Sequence, residues 1–124
     1  MQVKRVNFPA LGLPAGPYSH AVIHGETLYT SGMTAFGTQA QNASISEQTM
    51  EIFRQIELIA KDVGSDLSRL IKVTIFVTDL SQMLALRQTL ADIYQTQLPA
   101  SSLIKIEALF SADLNVEVEA VLAI

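Results

Sequence analysis

The run Leu98-Pro99-Ala100-Ser101-Ser102-Leu103-Ile104-Lys105-Ile106-Glu107, followed by Asn115-Val116-Glu117-Val118-Glu119-Ala120-Val121, decides how the chain is read. Both segments alternate side chains with period two, the pattern of β-strands whose two faces meet different surroundings. On the second, Val116, Val118 and Ala120 point one way and Glu117 and Glu119 the other. One face suits a core. The other sets two carboxylates within an otherwise apolar C-terminal segment, and what surrounds them is the functional question.

Working backwards, Pro99 closes the connection from a helix opened by Asp79-Leu80-Ser81-Gln82, whose Met83, Leu86, Leu90, Ile93 and Tyr94 form an apolar stripe with Arg87 beside it. Ile71 to Thr78 reads as an inner strand, with Ile71, Val73, Ile75 and Val77 on one face and Lys72, Thr74, Phe76 and Thr78 on the other. Ser44 and Glu47 form a capping box before a helix whose Met50, Phe53, Ile56, Ile59, Ala60 and Val63 share a stripe, with Gly64 as its C-terminal stop. Tyr18 to His24 and Thr27 to Ser31 read as strands of a hairpin around Gly25. Gly32 ends the second, and Met33 to Ala43 is a loop. A further short strand is expected near Val3 to Val6. Between it and the hairpin, Phe8 to Pro17 holds three prolines and two glycines and is read as a stiff irregular loop delivering Tyr18. An alternative makes that loop a simple entry segment and Tyr18 an ordinary strand-start residue. The order gives an α+β fold over residues 1–124, one domain with a single mixed sheet and two helices on one face.

Composition narrows the function. The chain has no cysteine, which excludes a disulfide framework, thiol catalysis and thiolate metal sites and makes a reducing cytoplasm the expected compartment. No segment approaches a membrane span. Twelve acidic against eight basic residues, without a basic cluster, argue against nucleic acid as a partner. Hydrophobic residues reach 49% and charged ones only 16%, so a sheet covered on one face alone must meet another subunit with the other. His20 and His24, the only histidines, stand ~13 Å apart along a strand, too far for one metal ion. The chain shows no repeat, no Gly-rich phosphate loop, no nucleophile elbow and no Cys/His cluster.

Five blocks fall in an order that resembles the Rid/YjgF family of reactive intermediate deaminases, also labelled endoribonuclease L-PSP or translation inhibitor. They are Gly16-Pro17-Tyr18-Ser19, Thr30-Ser31-Gly32, Val73 to Leu80, Leu98-Pro99-Ala100 and Val116 to Ala120. The resemblance implies a homotrimer of chorismate-mutase-like fold, with sheets toward the centre, helices outside and three intersubunit clefts. In active members the cleft hydrolyses a small imino or enamino acid to a keto acid and ammonia without a cofactor. By this likeness Tyr18, the Gly32 backbone, Ser101 and Leu103 line the substrate site and Glu119 positions or activates a water.

One position departs from that pattern. Active deaminases of the family carry Arg directly after the Pro-Ala of the last connection, where it grips the substrate carboxylate; this chain has Ser101. Losing such a partner costs on the order of 2–5 kcal/mol. Arg87, at a helical position where one branch of the family has a cleft-lining Asn, and Lys105, on the face of Ser101, could replace it. Either could instead form a salt bridge with Glu107 or Glu117. Three readings follow: a Rid-type imine or enamine hydrolase with an altered substrate, a non-catalytic trimer binding a small metabolite, or a ribonuclease, against which the acidic balance argues. A chorismate mutase is a more distant alternative, and Ser101 weakens it too.

Overall fold

Period-two alternation puts the C-terminal segment at the centre of the sheet. In the computed structural model, which describes residues 1–124, β6 (Val116–Ala123) lies between β3 (Thr27–Thr30) and β4 (Leu70–Val77). Adding β1 (Val3–Val6), β2 (Ala21–His24) and β5 (Ala100–Lys105) completes a six-stranded sheet of order β1-β2-β3-β6-β4-β5. Only β4 and β5 run parallel, as a helical crossover between them requires.

Val116, Val118, Ala120 and Leu122 of β6 are buried with Val73, Ile75 and Val77 of β4, under α1 (Ile45–Asp62) and α2 (Met83–Tyr94). Both helices contribute to one core cluster, so they share one face. The opposite face carries Tyr29, Lys72, Thr74, Phe76, Glu117 and Glu119, and no helix of the chain covers it. α1 begins where read: the Ser44 hydroxyl accepts the Glu47 N–H at 3.2 Å. It ends where Gly64 takes φ +80°, a conformation open to glycine at no steric cost.

Several expectations are corrected. Met50 is 53% exposed, and the buried face of α1 instead takes in Gln48 and Thr49. The cause is Gln48, which donates to the carbonyls of Gln41, Ala43 and Asp113 and accepts the Asn115 N–H at 2.8 Å. Those bonds turn a polar residue inward. Ile71 is exposed and Leu70 buried, because a β-bulge between Leu70 and Lys72 in the pairing with β6 inserts one extra residue. On α2 the expected stripe forms, with Leu86 and Leu90 buried and Met83, Ile93 and Tyr94 packed half-buried against the same core, and Thr89 is buried with them.

The proline-rich segment contains a 3₁₀ turn, Pro9–Leu11, with Pro9 at its first position, where a missing N–H costs nothing. β2 starts at Ala21 rather than Tyr18, since the residues before it are tied to the N-terminal loop: the His20 N–H donates to Asn7 Oδ1 at 3.0 Å and the Phe8 N–H to His20 Nδ1 at 2.9 Å. His20 therefore precedes the strand that ends at His24. No helix is long and apolar enough to cross a membrane.

Candidate functional site

Two irregular segments meet over the end of β6. One is the proline-rich loop, whose Leu11, Leu13, Pro14 and Ala15 form one wall of a groove of about 520 Å³. Tyr18 stands at that wall, its hydroxyl accepting the Ala15 N–H at 3.2 Å. The other is Gly32-Met33-Thr34, drawn across to β6 by reciprocal backbone bonds between Met33 and Val118, 2.8 and 3.0 Å.

That bridge sets Gly32 against Glu117. A Cβ at Gly32 would stand 2.7 Å from Glu117 Oε2 and 2.8 Å from its Cδ, so glycine is what lets the carboxyl lie there. Glu117 is half-buried, and burial, then the neighbouring Glu119 carboxylate, push its pKa above the usual carboxylate value. No cation offsets these effects: no Lys or Arg lines the groove, and both ion pairs of the chain, Arg54–Glu51 and Lys61–Glu57, lie on α1.

His20 forms part of the wall, 7% exposed. Its Nδ1 accepts a backbone N–H and burial lowers its pKa, so the ring is neutral at pH 7 with its proton on Nε2. Gln55 reaches the groove from α1, its amide held by the Thr34 carbonyl at 3.1 Å and Glu51 at 2.9 Å. At the rim Phe36 and Phe110 meet edge to face, ring centroids 4.9 Å apart, and remain 51% and 65% exposed.

Of the residues singled out from the sequence, Tyr18 and Gly32 come together here. Glu119 lies two residues further along the same face of β6, exposed and opposite Thr74, outside the groove of the single chain. Ser101 and Leu103 align with Val73 and Ile75 in the parallel pairing, so they project from the helix-covered side; Leu103 packs against the core and Ser101 is exposed. Arg87 is exposed on α2 and Lys105 on β5, and neither pairs with Glu107 or Glu117.

The sequence did not single out Glu117, His20, Phe36, Phe110 or Gln55 as lining residues. Glu117 was visible as one of two alternating carboxylates, but its contact with Gly32 depends on the Met33–Val118 bridge. The two phenylalanines lie in aperiodic loops, where a large aromatic with no core partner is the available signal.

The sequence pattern of the family described as Endoribonuclease L-PSP matches residues 10–124. The chain is 30% identical over 112 residues to a RutC family protein of Sinorhizobium fredii, covering 88% of each. It is 27% identical over 128 residues to a 2-iminobutanoate/2-iminopropanoate deaminase of Dermatophagoides farinae, covering 100% of this chain and 99% of that one. Its fold is similar to the crystal structure of a Mycobacterium tuberculosis member of the YjgF/YER057c/UK114 family, with TM-score 0.81, 26% identity, and coverage of 99% of this chain and 100% of that one.

Proposed function

The chain belongs to the endoribonuclease L-PSP family, also called YjgF, RutC or Rid, and on that footing we propose that it is a homotrimer that binds a small metabolite in its intersubunit clefts and hydrolyses an imine or enamine to a carbonyl compound and ammonia. The observation that carries the reading is the convergence in one groove of the Tyr18 ring, the Gly32 backbone and a carboxylate of β6. A carboxylate in a partly dry site takes a proton from water as the oxygen adds to the C=N carbon. Returning that proton to nitrogen gives a carbinolamine; passing its hydroxyl proton through the same carboxylate to the nitrogen then breaks the C–N bond, forms the C=O and releases ammonia, so water and imine account for every atom and no cofactor is required. Glu119, on the same face as Glu117 and exposed in the single chain, is the proposed catalytic carboxylate: in the proposed trimer a second copy over that face would give it the partly dry setting, and a ligand spanning the cleft between copies would reach it.

The uncovered sheet face, with Tyr29 at 46% and Ile104 at 44% exposure, supports the trimer. Sedimentation should give three chains per particle. Ser101 favours a second reading, in which the cleft binds without turnover or acts on an imine that lacks a carboxylate. The test is ammonia release from imines generated in situ, with and without a carboxylate, in the native protein and in Glu119→Ala. Turnover of a carboxylate-free imine that disappears in the variant supports the hydrolase. Binding without turnover of any imine selects the second reading. RNA cleavage that co-purifies with the protein and is lost in Glu119→Ala would reject both.

A further inference from the structure

Granting that the groove is a ligand site, we infer that it selects a protonated amine or iminium bearing a compact apolar group, with Glu117 facing the charge and the Phe36–Phe110 pair facing the apolar part. Charge comes first. The titratable side chains lining the groove are Tyr18, His20 and Glu117, and none is a cation. His20 is neutral because its Nδ1 is taken by the Phe8 N–H and its ring is buried. The Glu117 carboxylate has no hydrogen bond or cation to hold its charge, and Glu119 adds a second negative charge two residues away.

An anionic ligand would be repelled at a half-desolvated position, where like charges cost most. A cation reverses the sign of the same terms: it restores to Glu117 the solvation that burial removed and is attracted by Glu119 as well. Shape supplies the second half. Phe36 and Phe110 keep more than half of their surface exposed although they touch each other, and they line the same groove as Leu11 and Leu13. Exposed aromatic rings lining one groove with a carboxylate suit an apolar group attached to a cation, since the rings attract both. An iminium is also more open to attack by water than a neutral imine, which fits the proposed hydrolysis.

The experiment compares three probes of one skeleton on the intact protein: benzylamine, benzyl alcohol and benzoate. Backbone amide NMR locates binding and calorimetry measures it. Benzylamine is expected to shift the Gly32 and Phe36 resonances and to bind roughly tenfold or more tightly than benzyl alcohol, with benzoate weakest. Glu117→Gln should bring the amine down to the level of the alcohol, and Phe110→Ala should weaken both. Benzoate binding at Gly32 as tightly as the amine would overturn the charge selection and leave the groove as a ligand site. So would an amine affinity unchanged by Glu117→Gln. If no probe shifts the groove resonances, the ligand-site reading fails and this inference falls with it. The comparison among probes needs no variant, so it stands even if a substitution impairs folding.

Discussion

The Glu117 side chain in the groove and the Ser101 and Leu103 side chains on the β5 edge lie on opposite sides of one sheet, and the two regions are built differently. The groove is walled by loops that polar bonds hold in place: His20 to Asn7 and Phe8, Met33 to Val118, Gln55 to Thr34. β5 is an edge strand, paired only with β4, and most of its residues are exposed. A pocket needs walls from several directions, and an edge strand supplies one. In the proposed trimer the β5 edge completes a cleft only against another copy, whereas the groove already has its shape within one chain.

The largest effect should therefore come from untying the loops that carry the rim residues Phe36 and Phe110, which Gln48 of α1 holds together. Gln48→Ala leaves the Asn115 N–H and the carbonyls of Gln41, Ala43 and Asp113 short of a partner in a fully buried site. It is expected to cost about 2–4 kcal/mol in chemical denaturation, against less than about 0.5 kcal/mol for Ser101→Ala on β5. Equal costs would erase the distinction between a tied groove and an open edge.

Gly32→Ala acts locally. The three atoms nearest the new Cβ all belong to the Glu117 side chain, which can swing away, so the fold is expected to survive while the carboxyl moves. Ligand affinity or turnover should fall by roughly tenfold or more with little change in stability. Unaltered binding would mean that the position of Glu117 beside Gly32 is incidental.

Ser101→Arg asks whether the edge belongs to the same site. Hydrolysis of 2-iminobutanoate should be low in the native chain and rise in this variant, because Arg supplies the bidentate carboxylate grip that Ser101 lacks. Adding Glu119→Ala should remove the gain. A native rate as high as that of Arg-bearing relatives would break the argument, and Arg87→Ala would then show whether Arg87 has taken over.

The same contrast explains what the sequence made legible. Alternation in Val116 to Ala120 and the Ser44 cap are local signals, and β6 and α1 form where those signals stand. Ile71 and Met50 turned out exposed because a bulge against β6 and the bonds of Gln48 to distant loops overrode the local period. Tyr18 and Gly32 were singled out through resemblance in whole blocks, and the structure sets both at one groove. Glu117 was not, since what distinguishes it from Glu119 is one backbone bridge between segments 85 positions apart, Met33 and Val118. Periodicity reports which face a residue takes; it carries no record of which loop will be pinned above that face.

The smallest effect concerns Glu117 and acidity. Its pKa is raised in the folded chain by burial and by Glu119, so the native state holds that proton more tightly than the unfolded state does. Between the ordinary carboxylate value and the raised one, the native state binds more protons, and stability falls as pH rises through that window. Above the window the penalty is constant. Glu117→Gln removes it, so the variant should be modestly more stable than the native chain at pH 7, with the difference vanishing as pH drops below the ordinary carboxylate range. Glu51, Asp66, Asp79 and Asp113 shift the opposite way and lend stability that is lost in acid, so only the difference between the two melting curves across pH isolates Glu117. The other titratable groups around it are Glu119, Tyr18 and neutral His20, none of which supplies positive charge. If Glu117→Gln is instead less stable at pH 7, a cation must reach that carboxylate in the assembled protein. Arg87 or Lys105 of another copy would be its source, and the groove and the β5 edge would then be two halves of one site.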